Sequence, residues 1–402
     1  MDENSLFDKY LRIIDYTFRW SGLHLRNRKD YNVRKARILY CIHFIGLNLN
    51  VLGGFWWFVK QASKGESLVS LTYAAPSIAL ACLCNFKSLS IMLNASYVDK
   101  LVYKLRELES KVDLNSIESK ILVEEPIKFL HFVLKVSNLF NWLLIVAFPS
   151  MPLARTAYNF LAFNKVELEF PFLTEYPFNP YDIKIYPFVL LSHIWGESIA
   201  LFWIFASQSL YYICATFIIV QFKLLQQEIL QIIPENSSNK GRRQNEDEVF
   251  QIKVWKVVEW HQEIIEAVKL VDIIYSKSTL FNFVSSSAMI CLTGFNVTTI
   301  DDLAFVVMFF AFLCLSLVQI FCHCLFGDML MRSSKEVSDA VYNSKWYLTN
   351  AKNAKMLHFL QMRAQKPCKL TAYGYADVNL TAFSKIMNSA WSYFALLKTV
   401  NR

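Results

Sequence analysis

Cysteine and histidine residues are the first candidates for chemistry in this chain of 402 residues, of which nine are cysteines. Cys82 and Cys84 are separated by one residue, and Cys322 and Cys324 flank His323, so both groups contain side chains that can bind metal ions. Both groups lie in long apolar segments, where thiols more often pack as small apolar side chains. The sequence contains no GxSxG, HExxH or Walker motif. We therefore predict no metal, no cofactor and no enzymatic activity.

Polar side chains recur with a helical period near the end of the sequence. The polar positions are Thr381, Lys385, Asn388, Ser392 and Thr399. On a helix they lie within roughly 60° of one another, with Leu396 at the edge of the same face. Because unpaired polar groups are costly in lipid, this face must contact protein or water. Two interpretations stay open on periodicity alone: packing against the preceding span, or a pore lined by several copies of this helix with Leu396 as an apolar constriction.

Aromatic residues concentrate in segment 152–187 and in the apolar segments around it. A concave site lined by such side chains suits a small apolar ligand. The alternative is that these aromatics form an interfacial belt and pack the core. Glu197 is the only acidic residue well inside a predicted span. His193, a single histidine in an apolar segment, is expected to be hydrogen-bonded as part of the packing.

The elements that must position these residues are membrane-spanning helices. Hydrophobic residues make up 54% of the chain and charged residues 18%, a composition that favours a membrane protein over a soluble one. Several apolar segments reach the ~20 residues that a helix needs to cross a bilayer. We predict an all-α membrane protein with seven transmembrane helices, at 38–59, 68–95, 129–151, 188–221, 272–300, 303–327 and 372–397.

The distribution of the 41 Lys and Arg residues predicts the orientation of these helices. Most of them lie in the segments on the N-terminal side of the membrane, namely 1–37, 96–128, 222–271 and 328–371. The positive-inside rule therefore places the N-terminus in the cytosol, and seven spans place the C-terminus outside the cell. The N-terminal segment lacks the features of a signal peptide, so we expect the first span to direct membrane insertion. Asn296 begins a sequon on the predicted outer turn between the fifth and sixth spans, and we predict glycosylation there.

A cytosolic amphipathic stretch precedes the last span. Residues 336–363 alternate apolar side chains with Lys and Asn and are too polar to cross the membrane. The apolar stripe of this stretch includes Val341, Leu348, Met356 and Leu360. We expect the stretch to continue the sixth or seventh helix and to bury its stripe at a subunit interface.

The last span resembles the insect odorant receptor family. Residues 371–397, TAYGYADVNLTAFSKIMNSAWSYFALL, are similar to the most recognisable stretch of that family, above all at 383–389 and 392–397. The inverted topology with seven spans and the long second outer loop fit the same family. Residues 177–182, PFNPYD, further resemble receptors of moths, including their pheromone-detecting branch.

This resemblance implies an odorant receptor subunit of a ligand-gated, non-selective cation channel in the plasma membrane of olfactory sensory neurons. Members of the family assemble as tetramers with an obligate co-receptor subunit, and the last helix of each subunit lines the central pore. The constriction then corresponds to Leu396, and Thr399 lies near the outer mouth. The remaining pore-lining residues are Ser392, Asn388 and Lys385. The implied partners are the co-receptor, a small volatile odorant or pheromone, permeating cations and membrane lipid, but no nucleic acid.

The resemblance also divides the chain into functional regions. Residues 1–327 would form a cytosolic N-terminal segment and a six-span ligand-binding bundle. Residues 328–371 would form a cytosolic anchor that holds subunits together, and 372–402 the pore-lining helix. The odorant pocket is expected in the outer halves of the second to sixth spans. Its predicted residues are Tyr73, Trp142, Phe148, Trp195, Ile199, Phe202, Met289 and Val306.

Two other classes of receptor remain as alternatives. A gustatory receptor of the same superfamily shares the topology, but its last helix typically carries a Gln-Phe pair where this chain has Ala382 before Phe383. A G-protein-coupled chemoreceptor requires an extracellular N-terminus and usually an outer disulfide, and segment 152–187 contains no cysteine. The apolar and aromatic surface of the expected pocket predicts a neutral volatile ligand. It does not separate plant volatiles from long-chain pheromone components.

Overall fold

The computed structural model describes residues 5–23, 32–66, 68–112, 117–164, 168–233, 244–300 and 302–400. Within these ranges the chain is almost entirely helical, and the predicted all-α fold is confirmed. The helices are α1 (Leu6–Ser21), α2 (Val33–Ser63), α3 (Leu68–Thr72), α4 (Ala75–Leu93), α5 (Ala95–Ser110), α6 (Ile117–Phe163), α7 (Tyr186–Gln231), α8 (Gln244–Thr299), α9 (Leu303–Asn343), α10 (Ala351–Ala364) and α11 (Leu380–Val400). Two short strands, β1 (Thr371–Ala372) and β2 (Ala376–Asp377), form an antiparallel hairpin.

Six helical segments of the described chain are long and apolar enough to cross a membrane. They are α2, residues 70–93 of α3 and α4, α6, α7, α8 and α9. Each of them contains most or all of one of the first six predicted spans, and α11 is the seventh. Apolarity locates these helices because lipid can neither hydrate the backbone nor solvate charged side chains.

Two of the long helices extend well beyond the predicted spans. The fifth span was predicted to begin at 272, but α8 begins at Gln244 because an amphipathic segment continues the same helix. In the same way α9 continues to Asn343. The amphipathic stretch 336–363 is thus divided among the end of α9, a 3₁₀ turn at Trp346–Leu348 and α10.

The last span begins later than predicted. Residues 371–377 form the β1–β2 hairpin, whose turn contains Tyr373 and Gly374 at positive φ values of 51° and 79°. The Thr371 backbone N–H and hydroxyl donate to the Asp272 carboxylate on α8, at 2.7 and 3.1 Å. These bonds hold the hairpin against α8 and separate it from α11.

The start of α11 is fixed by a side-chain cap and by close packing on α9. The Asn379 carboxamide oxygen accepts a hydrogen bond from the Ala382 N–H at 2.8 Å and thereby caps the helix. A Cβ atom at Gly327 of α9 would lie 2.3 Å from the carbonyl oxygen of Val378. Glycine at this position therefore lets the chain before α11 lie directly on α9.

The centre of the bundle is α7. It packs against α9, α6, α1, α8 and α4, and its residues 199–222 are buried almost without interruption. A helix that is apolar on every face is buried on every face. Its fully buried Trp203 donates an indole hydrogen bond to the carbonyl of Ser21, at the end of α1, at 2.9 Å.

The N-terminal helix α1 is joined to α5 by charged groups. The Leu6 and Phe7 N–H groups donate to the Glu109 carboxylate at 2.8 and 3.2 Å, where a negative charge complements the helix dipole. The Arg106 guanidinium donates twice to the buried Asp8 carboxylate, at 2.8 and 2.9 Å. Together with the Trp203 bond, these contacts make α1 part of the bundle.

The apolar stripe of the amphipathic stretch is buried within the chain. Val341 and Leu360 are almost fully buried, and Leu348 and Met356 pack against the same core. The prediction that this stripe forms a subunit interface is therefore wrong, because α10 folds back onto α9 and α8. The exposed large apolar side chains of this region are Tyr342, Trp346, Tyr347, Phe359 and Met362.

Candidate functional site

A cavity of about 90 Å³ lies between α2, α4, α6, α7 and α9. Most of its wall is apolar. The lining residues are Leu47, Asn50, Val51, Gly54, Ser77, Ile78, Leu80, Ala81, Leu144, Phe148, Phe172, Leu173, Thr174, His193, Gly196, Glu197, Ala200, Leu201 and Phe312. A wall of apolar and aromatic side chains with a few polar groups has the composition of a small-molecule site.

One face of α7 forms a side of this cavity. The residues on it are His193, Gly196, Glu197, Ala200 and Leu201. Their spacing of three or four residues places them on a single face of the helix. Glycine at position 196 allows α2 to lie close, since a Cβ atom there would be 3.0 Å from the Asn50 side-chain nitrogen.

Residues 168–185, the capping segment, close one end of the cavity. The segment contributes Phe172, Leu173 and Thr174 to the wall. It is attached to α2 because the Glu175 N–H donates to the Gly53 carbonyl at 3.0 Å. The Lys60 ammonium group also lies 2.6 Å from the Glu175 carboxylate. The cap is thus held by a backbone bond and an ion pair.

The capping segment is also bonded to α7 through His193. The Tyr176 hydroxyl lies 2.7 Å from His193 Nε2, and the Thr174 hydroxyl lies 3.2 Å from the same nitrogen. The Asn50 side chain lies between the two elements, since Nδ2 donates to the Ser192 carbonyl at 3.2 Å and Oδ1 lies 3.4 Å from the Tyr176 hydroxyl. Burial raises the pKa of the Tyr176 hydroxyl, which therefore stays neutral and able to donate.

Glu197 differs from these neighbours in its hydrogen bonding. Its side chain is only 9% exposed, and neither carboxyl oxygen has a hydrogen-bond partner among the described residues. One turn earlier on the same helix face, His193 Nδ1 is also buried without a partner in that part of the chain. The cavity wall therefore contains an unpaired carboxyl group and an unpaired ring nitrogen among apolar side chains.

A second cavity of about 80 Å³ lies further along the same helices. Leu80, Leu144 and Leu201 line both cavities and so form the wall between them. The second cavity also contains Asn141 and Gln208, whose side-chain nitrogens lack hydrogen-bond partners in the described ranges. The bundle thus contains two adjacent, mainly apolar spaces, each with unpaired polar groups.

Of the predicted pocket residues, the structure places Phe148 in the cavity wall. Its ring centroid lies 6.0 Å from that of Phe172 in the capping segment and 4.6 Å from that of Phe312 on α9. The predicted residues outside the wall are Tyr73, Trp142, Trp195, Ile199, Phe202, Met289 and Val306.

The direction in which each helix face points explains why most of the predicted residues lie outside the cavity wall. The three predicted residues on α7 lie about 180–240° around the helix from His193, on the side away from the cavity. On α9, Val306 lies about 120° from Phe312, which does face the cavity. Because α7 is apolar all round, its sequence does not indicate which face borders a cavity.

The predicted residues outside the wall pack elsewhere. The ring of Tyr73 contacts Phe309 edge-on at 5.9 Å, and Trp142 contacts Phe202 in the same way, also at 5.9 Å. Met289 is buried in α8, a helix that contributes no residue to the wall. The sequence did contain a signal for the polar part of the cavity, namely an acidic residue and a histidine four residues apart in one span, but not for the direction of the face that carries them.

Asn296 is fully buried rather than exposed on an outer turn. Its Oδ1 accepts from the Thr72 hydroxyl at 2.6 Å, and its Nδ2 donates to the Thr72 carbonyl at 3.0 Å. Because Nδ2 is the atom to which an N-linked glycan attaches, the structure argues against the predicted glycosylation.

The predicted pore residues share the exposed side of α11. All five polar residues of the predicted stripe are exposed: Thr381, Lys385, Asn388, Ser392 and Thr399. Leu396 is 61% exposed on the same side. The opposite side packs on α8 and α9, with Ala382, Ile386 and Ala390 buried. Within a single chain, therefore, the polar stripe does not pack against α9.

A family model and a known relative match this chain over most or nearly all of its length. The family model described as 7tm odorant receptor matches residues 67–391. Odorant receptor 67c of Drosophila melanogaster is 25% identical over 98% of this chain and 96% of that protein. The odorant receptor coreceptor of Anopheles gambiae is 25% identical over 42% of this chain and 36% of its own length.

The fold agrees with a solved structure. The insect olfactory receptor OR5 from Machilis hrabei, in complex with eugenol, superposes with a TM-score of 0.79 at 17% identity. The match covers 98% of this chain and 97% of that one. A second structure of the same receptor has a TM-score of 0.78.

Proposed function

Because the chain belongs to the 7tm odorant receptor family, we propose that it is the odorant-binding subunit of a ligand-gated cation channel. It would bind a small neutral volatile molecule within its helical bundle and open together with a co-receptor subunit. The observation that carries the ligand-binding part is the cavity between α2, α4, α6, α7 and α9. It is mainly apolar and closed at one end by the capping segment.

The proposed ligand occupies this cavity, with the capping segment as its cover. A solved receptor of the same fold contains eugenol, a small molecule of the proposed class. Phe148, Phe172 and Phe312 would contact the apolar body of the ligand, because their rings meet at the cavity wall. Affinity would come mainly from burial, at about 25 cal/mol per Å² of apolar surface.

The proposed pore is lined by α11 from several subunits. A polar stripe exposed along a bilayer-length helix is stable in a membrane only if other chains or water cover it. Leu396 would form the apolar constriction, with Thr399 on one side and Ser392, Asn388 and Lys385 on the other. The N-terminus would be cytosolic and the C-terminus extracellular, as the distribution of Lys and Arg predicts.

A physical connection between cavity and pore runs through α9. Phe312 of α9 lines the cavity, and Phe321 of the same helix contacts Phe383 of α11, with ring centroids 5.4 Å apart. A displacement of α9 upon ligand binding would therefore reach α11 directly. The direct packing of Gly327 on Val378 provides a second contact, between α9 and the chain immediately before α11.

The proposed partner is an odorant receptor co-receptor, in a tetramer of the two subunit types. Residues 328–371 would be the cytosolic anchor between subunits, next to the ligand-binding bundle at 1–327 and the pore helix at 372–402. The exposed face with Tyr342, Tyr347, Phe359 and Met362 provides the apolar surface for this contact. The site of action would be the plasma membrane of olfactory sensory neurons.

A cavity substitution with a matched control tests this function. We expect Phe148→Ala, expressed with a co-receptor, to raise the odorant concentration for half-maximal current about tenfold, a loss of roughly 1.4 kcal/mol of binding. Trp142→Ala removes an aromatic side chain of the same helix that lies outside the cavity and should leave that concentration unchanged. Ion permeability should be unchanged in both variants. Equal shifts in both, or none in either at normal surface expression, would show that the ligand binds elsewhere.

A further inference from the structure

Glu197 is a buried acidic group that the protein itself does not pair. Both carboxyl oxygens are shielded from solvent and have no hydrogen-bond partner in the described ranges of the chain. Two polar side chains of the same cavity wall donate elsewhere: Asn50 Nδ2 donates to the Ser192 carbonyl at 3.2 Å, and the Ser77 hydroxyl donates to the Ala74 carbonyl at 2.8 Å. An unpaired buried carboxyl is unfavourable, so a ligand that pairs with it gains binding energy.

His193 supplies a donor beside this acceptor. The Tyr176 hydroxyl lies 2.7 Å from His193 Nε2, much closer than the 3.4 Å that separates it from Asn50 Oδ1. With that hydroxyl donating to Nε2, the ring proton is on Nδ1, the nitrogen without a partner. Side chains four residues apart on a helix are about 5–6 Å apart at Cβ, and both residues line the cavity, so the two groups are neighbours in its wall.

We propose that the carboxyl of Glu197 and the Nδ1–H of His193 together bind a hydroxyl group, so that the cavity selects alcohols with an apolar body. The inference rests on the proposed function, since it takes this cavity to be the ligand site. A hydroxyl donates one hydrogen bond and accepts another, and so satisfies both groups at once. An ether or ester only accepts, and leaves the acceptor at Glu197 unused.

An ammonium group suits the same site less well. It carries three donors and no acceptor, so it would leave Nδ1–H unpaired and bring a second charge into an apolar space. The wall around Glu197 consists mainly of apolar side chains such as Ala81, Ala200 and Leu201, which cannot pair the remaining donors. The amine is therefore the chemical alternative that the test must separate from the alcohol.

The test compares ligands that differ only at the polar end. The probes are 2-phenylethanol, its methyl ether and 2-phenylethylamine, together with straight-chain alcohols of about six to twelve carbons and their methyl ethers. Currents are recorded from the full chain expressed with a co-receptor, for the parent, Glu197→Leu and Glu197→Gln. The measured quantity is the ratio of the half-maximal concentrations for ether and alcohol on the same skeleton.

We expect this ratio to be about tenfold or more in the parent and to fall to about twofold or less in Glu197→Leu. Glu197→Gln retains an acceptor oxygen and should keep most of the ratio. Any measurable response of Glu197→Leu to the ethers shows that the variant folds and opens, so a lost ratio is not a lost receptor. Surface labelling gives the second check of folding.

The remaining outcomes contradict the inference in distinct ways. An unchanged ratio in Glu197→Leu excludes Glu197 as the recognition group. A parent that prefers the amine, with that preference abolished by Glu197→Gln, shows that the site pairs a cation instead. A parent that responds to the methyl ethers but not to the alcohols overturns the inference and leaves the proposed function intact. A parent that responds to none of the alcohols at normal surface level also overturns the inference, while the proposed function is decided by the comparison of Phe148→Ala with Trp142→Ala.

Discussion

Helices α7 and α11 are both long enough to cross the membrane, yet their environments within the chain are opposite. Residues 199–222 of α7 are almost all buried, whereas the buried residues of α11 are Ala382, Ile386 and Ala390. The buried helix is apolar on every face, and the exposed one carries a polar stripe. The contrast teaches that α7 is covered by its own chain on every face, while its own chain covers only one face of α11.

The same contrast appears on the side of the bundle where α10 lies. Leu360 of α10 is buried in the core, while its neighbour Phe359 is 60% exposed. Adjacent residues of one short helix thus face the interior and the surface. Substitutions at these positions separate contributions to folding from contributions to assembly.

The largest expected effect is on protein stability, and it distinguishes a tryptophan of α7 from a tryptophan of α11. Trp203→Ala in α7 should destabilise the receptor by about 3–5 kcal/mol, since it removes a fully buried ring and the indole bond to Ser21. Trp391→Ala in α11 removes a ring that is 71% exposed and should change the stability of the chain by less than about 0.5 kcal/mol. Thermal unfolding of the purified protein, monitored by size-exclusion chromatography, measures the stability of both variants. Similar losses of stability in the two variants would contradict the difference in burial between α7 and α11.

A second, smaller effect concerns assembly. Phe359→Asp should lower co-purification with the co-receptor several-fold while the chain still folds, because the residue is exposed within one chain. Leu360→Asp, one residue further on, places a charge in the core and should reduce the yield of folded protein itself. Undiminished co-purification of a folded Phe359→Asp variant would remove this face from the proposed interface.

The smallest effect on folding, with a large effect on current, is expected at Leu396. Leu396→Ser should leave the stability of the chain within about 0.5 kcal/mol of the parent, because the side chain is exposed. In the assembled channel it should raise the resting current or change the ion permeability ratios, since a hydroxyl relieves an apolar barrier. Leu380→Ser, near the other end of α11, serves as the control. If neither current nor permeability changes at normal surface expression, Leu396 does not form the constriction.

The sequence was sufficient to locate the helices but not the face that each one turns inwards. Apolar length identified six spans, and the polar stripe identified α11, because lipid imposes these patterns directly. The face of α7 that borders the cavity carries no such pattern, since all its faces are apolar. The choice of Trp195 and Phe202 over His193 and Gly196 followed the size of aromatic side chains, not their direction.

Tertiary contacts account for the remaining differences. The β1–β2 hairpin forms within a stretch that is apolar enough to look helical, and the bonds between Thr371 and Asp272 hold it there. Asn296 looked exposed because it lies near the end of α8, but it is paired with Thr72 of a distant segment. A single sequence does not record pairs that are separated by hundreds of residues.

The attachment of α1 to α5 and α7 has a consequence for biosynthesis. Glu109 follows Leu6 by 103 positions, and Trp203 follows Ser21 by 182. At a translation rate of about 5–20 residues per second, α1 waits roughly 10–40 s on the ribosome before Trp203 is even made. During that interval its apolar face, centred on Phe7, Ile14 and Phe18, has none of its final contacts with α7. Docking of α1 on α7 therefore follows the synthesis of α1 by the whole interval that the intervening residues require.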